Sequence, residues 1–376
     1  MTISATVDLT QASQRRWDAI VVGAGPAGAV AARALALRDR RVLLVDRATF
    51  PRPKVCGSCL NERALAVLAA VGLGDLVHQL NASPLTGFRL AAGGRDVRLA
   101  LPGGVALLRE TFDAALVRAA LAAGVDFLPS VSARLGAVSA ETRSVELRQD
   151  GREATACGQV VLAAGGLGSL LPGAAEPVAG SRIGAGVTMA DGPEYFAPGT
   201  IYMACGRAGY VGLVRVEDGR LNIAAALEPT AVRAEGLGEL AAAIVAEAGM
   251  PEIAGLAAAH WRGTPPLTRQ VTEPAGERLF VLGDCAGYVE PFTGEGMAWA
   301  LAAAQAVAPL AAQPWTPGHA REWTASYRRL VRRRQWTCRL LAGLLRRPAL
   351  TRGLVKLLAW APQLARPVLH QLGRRS

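Results

Sequence analysis

Residues 17–47, WDAIVVGAGPAGAVAARALALRDRRVLLVDR, leave this chain little choice of architecture near its N-terminus. An apolar run is followed by Gly23, Gly25 and Gly28, then an alanine-rich stretch, then a second apolar run ending on Asp46. The order is strand, tight turn, helix, strand, and two strands joined through a helix run parallel. Gly23 suits the tight turn, Gly25 admits a pyrophosphate close to the backbone, and Gly28 lets the helix lie close on the sheet. The helix N-terminus that follows favours negative charge. Asp46 lies 18 residues past Gly28, where an acid can accept from a ribose hydroxyl. A GxGxxG alone is weak, because glycine and alanine are abundant here. The flanking strand, helix and acid make this one specific, and outweigh a glycine-rich turn with no ligand.

Two further apolar strands end in glycine, QVVLAAGG at 159–166 and RLFVLGDCAG at 278–287. Each can place its last residues at the carboxyl edge of the same sheet, where ligands of doubly wound folds bind. Asp284 follows a buried strand and a glycine. An unpaired acid there is costly to bury, so a ligand contact or helix cap is expected. Segment 109–129 predicts a helix with Phe112, Leu116 and Leu121 on its apolar side, running into a strand.

Between these landmarks the texture changes to short strands such as TGFRLA, IYMACG, YVGLVRV and LNIAAAL, separated by Gly, Asp and Pro. They predict an antiparallel, substrate-facing sheet formed from two separated stretches. The 376 residues leave room for both units. The expected division is a discontinuous cofactor domain over 14–84, 105–180 and 268–312, a substrate domain over 85–104 and 181–267, and a C-terminal helical region over 313–376. After residue 294 helix is expected almost to the end, broken at Pro314, Pro317, Pro348, Pro362 and Pro367.

The net charge of +11 belongs to the tail. From Arg321 onward there are 14 Lys/Arg and one acid, Glu322, whereas the first 320 residues hold 27 basic and 29 acidic residues. Arginines interrupt every apolar run in the tail before the 18 or so residues a membrane span needs. The six cysteines are scattered and the N-terminus lacks the apolar core of a secretory signal. The expectation is a cytoplasmic protein with free thiols.

Three motifs in order carry a resemblance: GAGPAG with Asp46, then VVLAAGG, then FVLGDCAGYVEPFTGEGMAWAL. Together they resemble the FAD-binding fold of aromatic-hydroxylase-type (group A) flavoprotein monooxygenases and geranylgeranyl reductases, over residues 17–310. PRPKVCGSCLNERALAVLAAVGL and the GEGM element are most similar to the geranylgeranyl-reductase branch. The fold so implied is α/β: a glutathione-reductase-type Rossmann FAD-binding domain, an inserted antiparallel-sheet substrate domain and a C-terminal helical tail. The resemblance implies that Gly23, Gly25, Ala27, Gly28, Asp46 and Arg47 contact the ADP half of FAD. Arg109 and Gly165 reach the cofactor, and Asp284 meets the ribityl chain. Pro291, Gly294, Gly296 and Met297 lie at the pyrimidine side of the flavin. Glycines followed by the helical run MAWALAAAQAV also make, on their own account, an anion-stabilising helix start. The sequence departs from relatives at Gly165-Gly166, where aromatic hydroxylases have Asp-Gly. At Tyr210 only the tyrosine of the reductases' Y-x-W-x-F-P element survives, which makes Tyr210 a substrate-side candidate. The W-x-W-x-I-P element of flavin halogenases is absent.

Cys56-Gly57-Ser58-Cys59 is a C-x-x-C. Zinc is not expected, since four ligands are needed and no histidine stands at ligand spacing; no metal is expected elsewhere. A thioredoxin-like role needs a different surrounding unit, and a flavin-coupled disulfide resembles a wider spacing with a second dinucleotide fingerprint. The expectation is therefore packing for Cys59 and a substrate-side or catalytic role for Cys56. Asn61 is expected to cap the next helix. Arg52 and Lys54 are either solvated or touch a phosphate or substrate. Glu290 and Glu295 flank the flavin loop. Either could serve as acid or base, Glu295 being the catalytic candidate of the two, although a structural part in the turn is the favoured reading for it.

The tail mixes arginines with Leu, Trp and Val at helical spacing. It is either a peripheral membrane contact or greasy lid, or a helical pair packed on the body with its basic side in water. No nucleic-acid partner is expected. The expected function is FAD-dependent oxidation or reduction of an apolar small molecule, a polyketide-derived aromatic or a prenyl lipid, with NADPH or NADH as electron donor. Monooxygenation is favoured. Hydride delivery to an isolated alkene is the alternative, and a flavin- or lipid-binding module without catalysis is a further one.

Overall fold

The structure, a computed structural model, describes residues 2–168, 176–271, 273–290, 292 and 294–365, with 332–334 described as backbone only. The first apolar run forms Arg16–Val22, which pairs in parallel with Val42–Val45 on one side and Arg152–Ala163 on the other. Leu279–Val281 extends the sheet beyond Arg152–Ala163, and Asp126–Leu128 extends it beyond Val42–Val45, both in parallel. Every residue of Val42–Val45 is buried, as expected of a parallel strand covered on its faces. Register places Val22 beside Ala163 and Ala163 beside Val281. Three distant segments thus end at one sheet edge: the fingerprint turn, Gly165-Gly166 and Gly283-Asp284.

Helix Pro26–Ala36 follows the fingerprint and packs against helices Arg109–Ala122 and Glu295–Ala311. Its alanines and Gly28 permit this closeness: a Cβ on Gly28 would lie 1.8 Å from the Gly23 carbonyl oxygen. In Arg109–Ala122, Phe112 and Leu116 are buried, and the chain continues into Asp126–Leu128.

A second, seven-stranded sheet runs Arg262–Pro266, Ile183–Met189, Leu221–Leu227, Gly209–Arg215, Thr200–Gly206, Gly87–Ala92, Arg95–Ala100. It is antiparallel except where Thr200–Gly206 meets Gly87–Ala92 in parallel. Those two strands come from separate excursions of the chain, so no hairpin fixes their relative direction. The period-2 alternation divides its side chains cleanly. Tyr202 and Ala204 join the core beneath helix Leu237–Glu247. Met203, Cys205 and Tyr210 join a second core shared with the C-terminal helices.

Proline starts both of those helices, Pro317–Leu345 and Pro348–Trp360, at a position where its missing N–H costs nothing. Pro348–Trp360 lies on Gly87–Ala92 and Arg95–Ala100. Among the described residues no helix is long and apolar enough to cross a membrane. Pro367 and the chain beyond it lie outside the described residues.

Candidate functional site

The shared sheet edge opens onto a cavity of about 1090 Å³. Its wall runs from Gly23, Gly25 and Asp46, past Asp284 and Gly296, to Leu344 and Leu358 of the C-terminal helices.

At the fingerprint end the three glycines do different work. Gly23 has φ +106°, and a Cβ there would stand 2.4 Å from the Ala164 carbonyl oxygen. Gly28 is required by the packing already described and is not part of the cavity wall. Gly25 is different: a Cβ would meet nothing closer than the Arg52 and Arg109 guanidinium groups, each at 3.7 Å. The protein's own packing does not demand glycine at 25, which leaves that backbone open to the cavity. Gly25 is also the N-cap of Pro26–Ala36 and offers no side chain to its free N–H groups.

Cations gather around this point. Arg109 donates to both oxygens of fully buried Asp113, Nε to Oδ1 and Nη2 to Oδ2, each at 2.8 Å. Arg52 reaches the same carboxylate at 3.4 Å and Asp46 at 3.9 Å. Burial works against the Arg109 charge, but Asp113 and the Cys56 thiol outweigh it and hold the guanidinium above its ordinary value. Lys54, half-buried, is pulled below its ordinary value by burial and then by Arg109, Arg52 and Arg47, with Asp284 opposing. Burial pushes the Asp284 carboxyl up, against Lys54 and Arg109. Four cations, Arg47, Arg52, Lys54 and Arg109, face three carboxylates, a surplus suited to an anionic ligand such as a diphosphate.

Asp46 accepts N–H bonds from Ala24 at 2.7 Å and Ala48 at 2.9 Å while remaining on the cavity wall. These bonds fix the fingerprint turn and leave lone pairs for a ribose hydroxyl. Ala27, Arg47, Gly165 and Asp284 line the cavity as well. A second uncapped helix start stands further along. Gly294, at φ +67°, is the N-cap of Glu295–Ala311 without a side-chain bond, and Gly296 and Met297 line the cavity beside it. Gly296 has a reason of its own, since a Cβ would lie 2.9 Å from the Tyr288 ring. Two helix N-termini, a surplus of cations and an open Gly25 on one wall are what a dinucleotide cofactor with an anionic middle and an electron-accepting ring requires. Pro291 lies outside the described residues.

Glu295 is held within the turn. Its carboxylate is 1% exposed and is not part of the cavity wall. One oxygen accepts from Asn61 Nδ2 at 2.8 Å and the other from Trp299 Nε1 at 3.1 Å, with Arg63 at 3.6 Å. An acid held from three sides fixes the turn and has no free face for proton transfer. Asn61 also caps its own helix by accepting from the Ala64 N–H at 3.0 Å. Glu290 is likewise buried between Arg182 at 2.9 Å and Arg346 at 3.0 Å.

Both cysteines of the C-x-x-C are free thiols on the cavity wall. Cys59 donates to the Gly57 carbonyl at 3.1 Å, and burial, then Cys56, pushes its thiol far up, so it is no thiolate nucleophile. Cys56 accepts from the Ser58 N–H at 3.4 Å and stands beside Arg109. Its carbonyl is held by Asn222 Nδ2 of the second sheet at 3.0 Å. The loop is therefore clamped between the two sheets.

Tyr210 is 4% exposed, lines the cavity and, among the described residues, has no hydrogen-bond partner for its hydroxyl. Burial, then Glu290, pushes that hydroxyl well above its ordinary value, and the ring packs edge-on against Phe292 at 5.2 Å. Around it the wall is apolar: Phe88, Leu90, Leu99, Met203, Leu344 and Leu358. The tail is open to reading as a greasy lid, but which leucines of the C-terminal helices line the site is not legible in sequence, because nothing local marks a helical leucine as cavity-facing. Asp113 was legible in principle, as an i, i+4 partner of Arg109.

The comparisons with known proteins agree with this geometry. Residues 16–171 match the family described as FAD binding domain. The chain is 36% identical over 156 residues to menaquinone reductase of Mycobacterium tuberculosis, a stretch covering 39% of this chain and 37% of that protein. Its fold is similar to that of p-nitrophenol 4-monooxygenase PnpA from Pseudomonas putida DLL-E4, at TM-score 0.77 and 15% identity, covering 96% of this chain and 100% of that one. It is similar also to the flavin-dependent brominase Bmp2, at TM-score 0.78 and 15% identity, covering 96% and 94%. Residues 16–171 thus carry an FAD binding domain, and almost the whole chain shares the fold of these flavoproteins.

Proposed function

We propose that this protein is an NAD(P)H-dependent monooxygenase that hydroxylates an apolar small molecule, a polyketide-derived aromatic or a prenyl lipid. The observation that carries the reading is the join between two halves of one cavity. The dinucleotide wall continues into a chamber of Phe88, Leu90, Leu99, Met203, Leu344 and Leu358 in which the Tyr210 hydroxyl is buried without a partner among the described residues.

FAD, when bound, supplies electron transfer from the nicotinamide and activation of oxygen; the protein supplies position and electrostatics. Arg52, Lys54 and Arg109 hold the diphosphate against Gly25, and Asp46 accepts from the adenosine ribose. Asp284 meets the ribityl hydroxyls. The free N–H groups at the start of Glu295–Ala311 stabilise negative charge on the flavin ring. The apolar chamber excludes water and orients the substrate, while Tyr210, protonated at neutral pH, gives a hydrogen bond to its polar end. Cys56 sits where a substrate edge meets the cofactor loop.

The similarity to a menaquinone reductase favours a second reading, hydride delivery to an alkene of a prenyl lipid, in which Tyr210 is the neutral proton donor. Oxygen dependence separates the two. Nicotinamide oxidation is followed with an apolar phenol and with a prenylated quinone, in air and under strict anaerobiosis, and the product is analysed for an atom from labelled dioxygen. Stoichiometric anaerobic turnover sinks the monooxygenase. A yellow protein that no nicotinamide or external reductant can bleach leaves only a binding module.

A further inference from the structure

Large apolar side chains exposed to solvent are concentrated on one side of the molecule. Of the eight among the described residues, six belong to the C-terminal helices and the turn after them: Trp336, Leu340, Leu350, Leu357, Trp360 and Leu364. Trp336 is 63% exposed and Trp360 85%. Trp336 and Leu340 are one turn apart, and Leu350, Leu357 and Trp360 fall at helical spacing, so each helix turns one apolar stripe outward. Between these residues stand Arg339, Arg347, Arg352 and Lys356, all exposed, and no acid follows Glu322. The inward side of Pro348–Trp360 is apolar too, with Val355 and Leu358 buried and Leu354 and Leu358 on the cavity wall. A helix apolar on both sides is stable when both sides meet an apolar medium.

We propose that these two helices dock peripherally on an anionic phospholipid bilayer, with their outward stripes in the headgroup–acyl boundary. Tryptophan favours that boundary, and Arg and Lys can reach headgroup phosphates while their stems lie along the leucines. A second copy of this chain is the poorer occupant. A two-fold contact lays the same patch on itself, and this patch carries one sign of charge. Leu341, Leu344, Leu354 and Leu358 lie on the inner side of the same helices. Resting on the proposed apolar substrate, docking therefore lets a molecule dissolved in the acyl layer reach the chamber across a single layer of helix.

The test uses the full-length, FAD-loaded protein, sedimented with vesicles of phosphatidylcholine alone and of phosphatidylcholine mixed with phosphatidylglycerol. Binding to the mixed vesicles is expected, weakened on the order of tenfold by high salt or by omission of the anionic lipid. Leu357→Ser/Trp360→Ser and Arg352→Glu/Lys356→Glu should each reduce binding on the order of tenfold. None of these four lines the cavity, so FAD content and nicotinamide oxidation in lipid-free solution should be unchanged. Wild-type protein left in the supernatant with mixed vesicles overturns the proposal, as does binding that both variants leave intact. Self-association in lipid-free buffer that Leu357→Ser/Trp360→Ser abolishes overturns it as well and assigns the patch to a second copy. Vesicle binding with a flavin that no nicotinamide reduces strikes the proposed reaction and leaves docking standing.

Discussion

Arg109 and Asp113 face each other one helical turn apart through two parallel hydrogen bonds of 2.8 Å, and the carboxylate between Arg109 and Arg52 is fully buried. This carboxylate holds together two guanidinium groups that would otherwise repel, and under the proposed function it fixes where the cofactor's negative charge can lie. Asp113→Asn keeps the shape and removes the charge. Breaking a buried pair on one side costs about 3–5 kcal/mol, so the ligand-free variant should melt well below wild type and lose FAD on dilution. Wild-type melting with wild-type FAD affinity would show that the arginines hold their places without the carboxylate.

Gly25→Ala and Gly28→Ala separate cofactor from fold within one motif. The first adds a methyl group where the protein leaves 3.7 Å, the second where it leaves 1.8 Å to a carbonyl oxygen. Gly25→Ala should fold with near-native ligand-free stability and bind FAD about tenfold or more weakly. Gly28→Ala should fail to accumulate as folded protein. Circular dichroism melts and FAD content of the purified variants check both. A Gly25→Ala protein with full FAD content would move the diphosphate elsewhere.

Lys54 shapes the pH dependence of the ligand-free protein. Its folded value lies below the ordinary 10.5, so its charge is disfavoured on folding. That penalty is present in full below the folded value and fades as pH rises toward 10.5, so stability should climb over that interval. Lys54→Met should abolish the climb, raise ligand-free stability at neutral pH, and still weaken FAD binding about tenfold through loss of a charge-assisted contact. Melting curves against pH, with and without FAD, give opposite signs if this is right.

Tyr210→Phe removes a buried hydroxyl that has no partner among the described residues. The ligand-free protein should gain stability, up to about 1–3 kcal/mol, while FAD content stays unchanged. Substrate affinity, or the position of attack on the substrate, should suffer. Loss of FAD instead would place the tyrosine at the cofactor.

Cys56→Ala and Cys59→Ala should behave differently. Cys59 is a half-buried hydrogen-bond donor with its thiol pushed far up, so it should resist iodoacetamide at neutral pH and its replacement should leave turnover intact. Cys56→Ala should change turnover. Equal and complete loss from both variants would restore a redox disulfide.

Much of the cofactor half was written locally. Strand, glycine turn, helix and acid are short-range signals, and Gly23, Gly25 and Asp46 needed only the 17–47 stretch to be found. The same locality explains why Gly28 read as packing and why Asn61 read as a cap. What tertiary structure decided were choices between equal local options. Glu290 and Glu295 look alike in sequence, and both turn into the protein because Arg182, Arg346, Asn61 and Trp299 arrive from elsewhere to hold them. The leucines of Pro317–Leu345 and Pro348–Trp360 repeat at helical spacing in every direction. Only packing selects which line the chamber and which face outward, that of Pro348–Trp360 on Gly87–Ala92 and Arg95–Ala100 and that of Pro317–Leu345 on Glu295–Ala311 and Leu279–Val281. Periodicity gives a helix its apolar faces, but the element that covers each face is chosen over the distance of the whole chain.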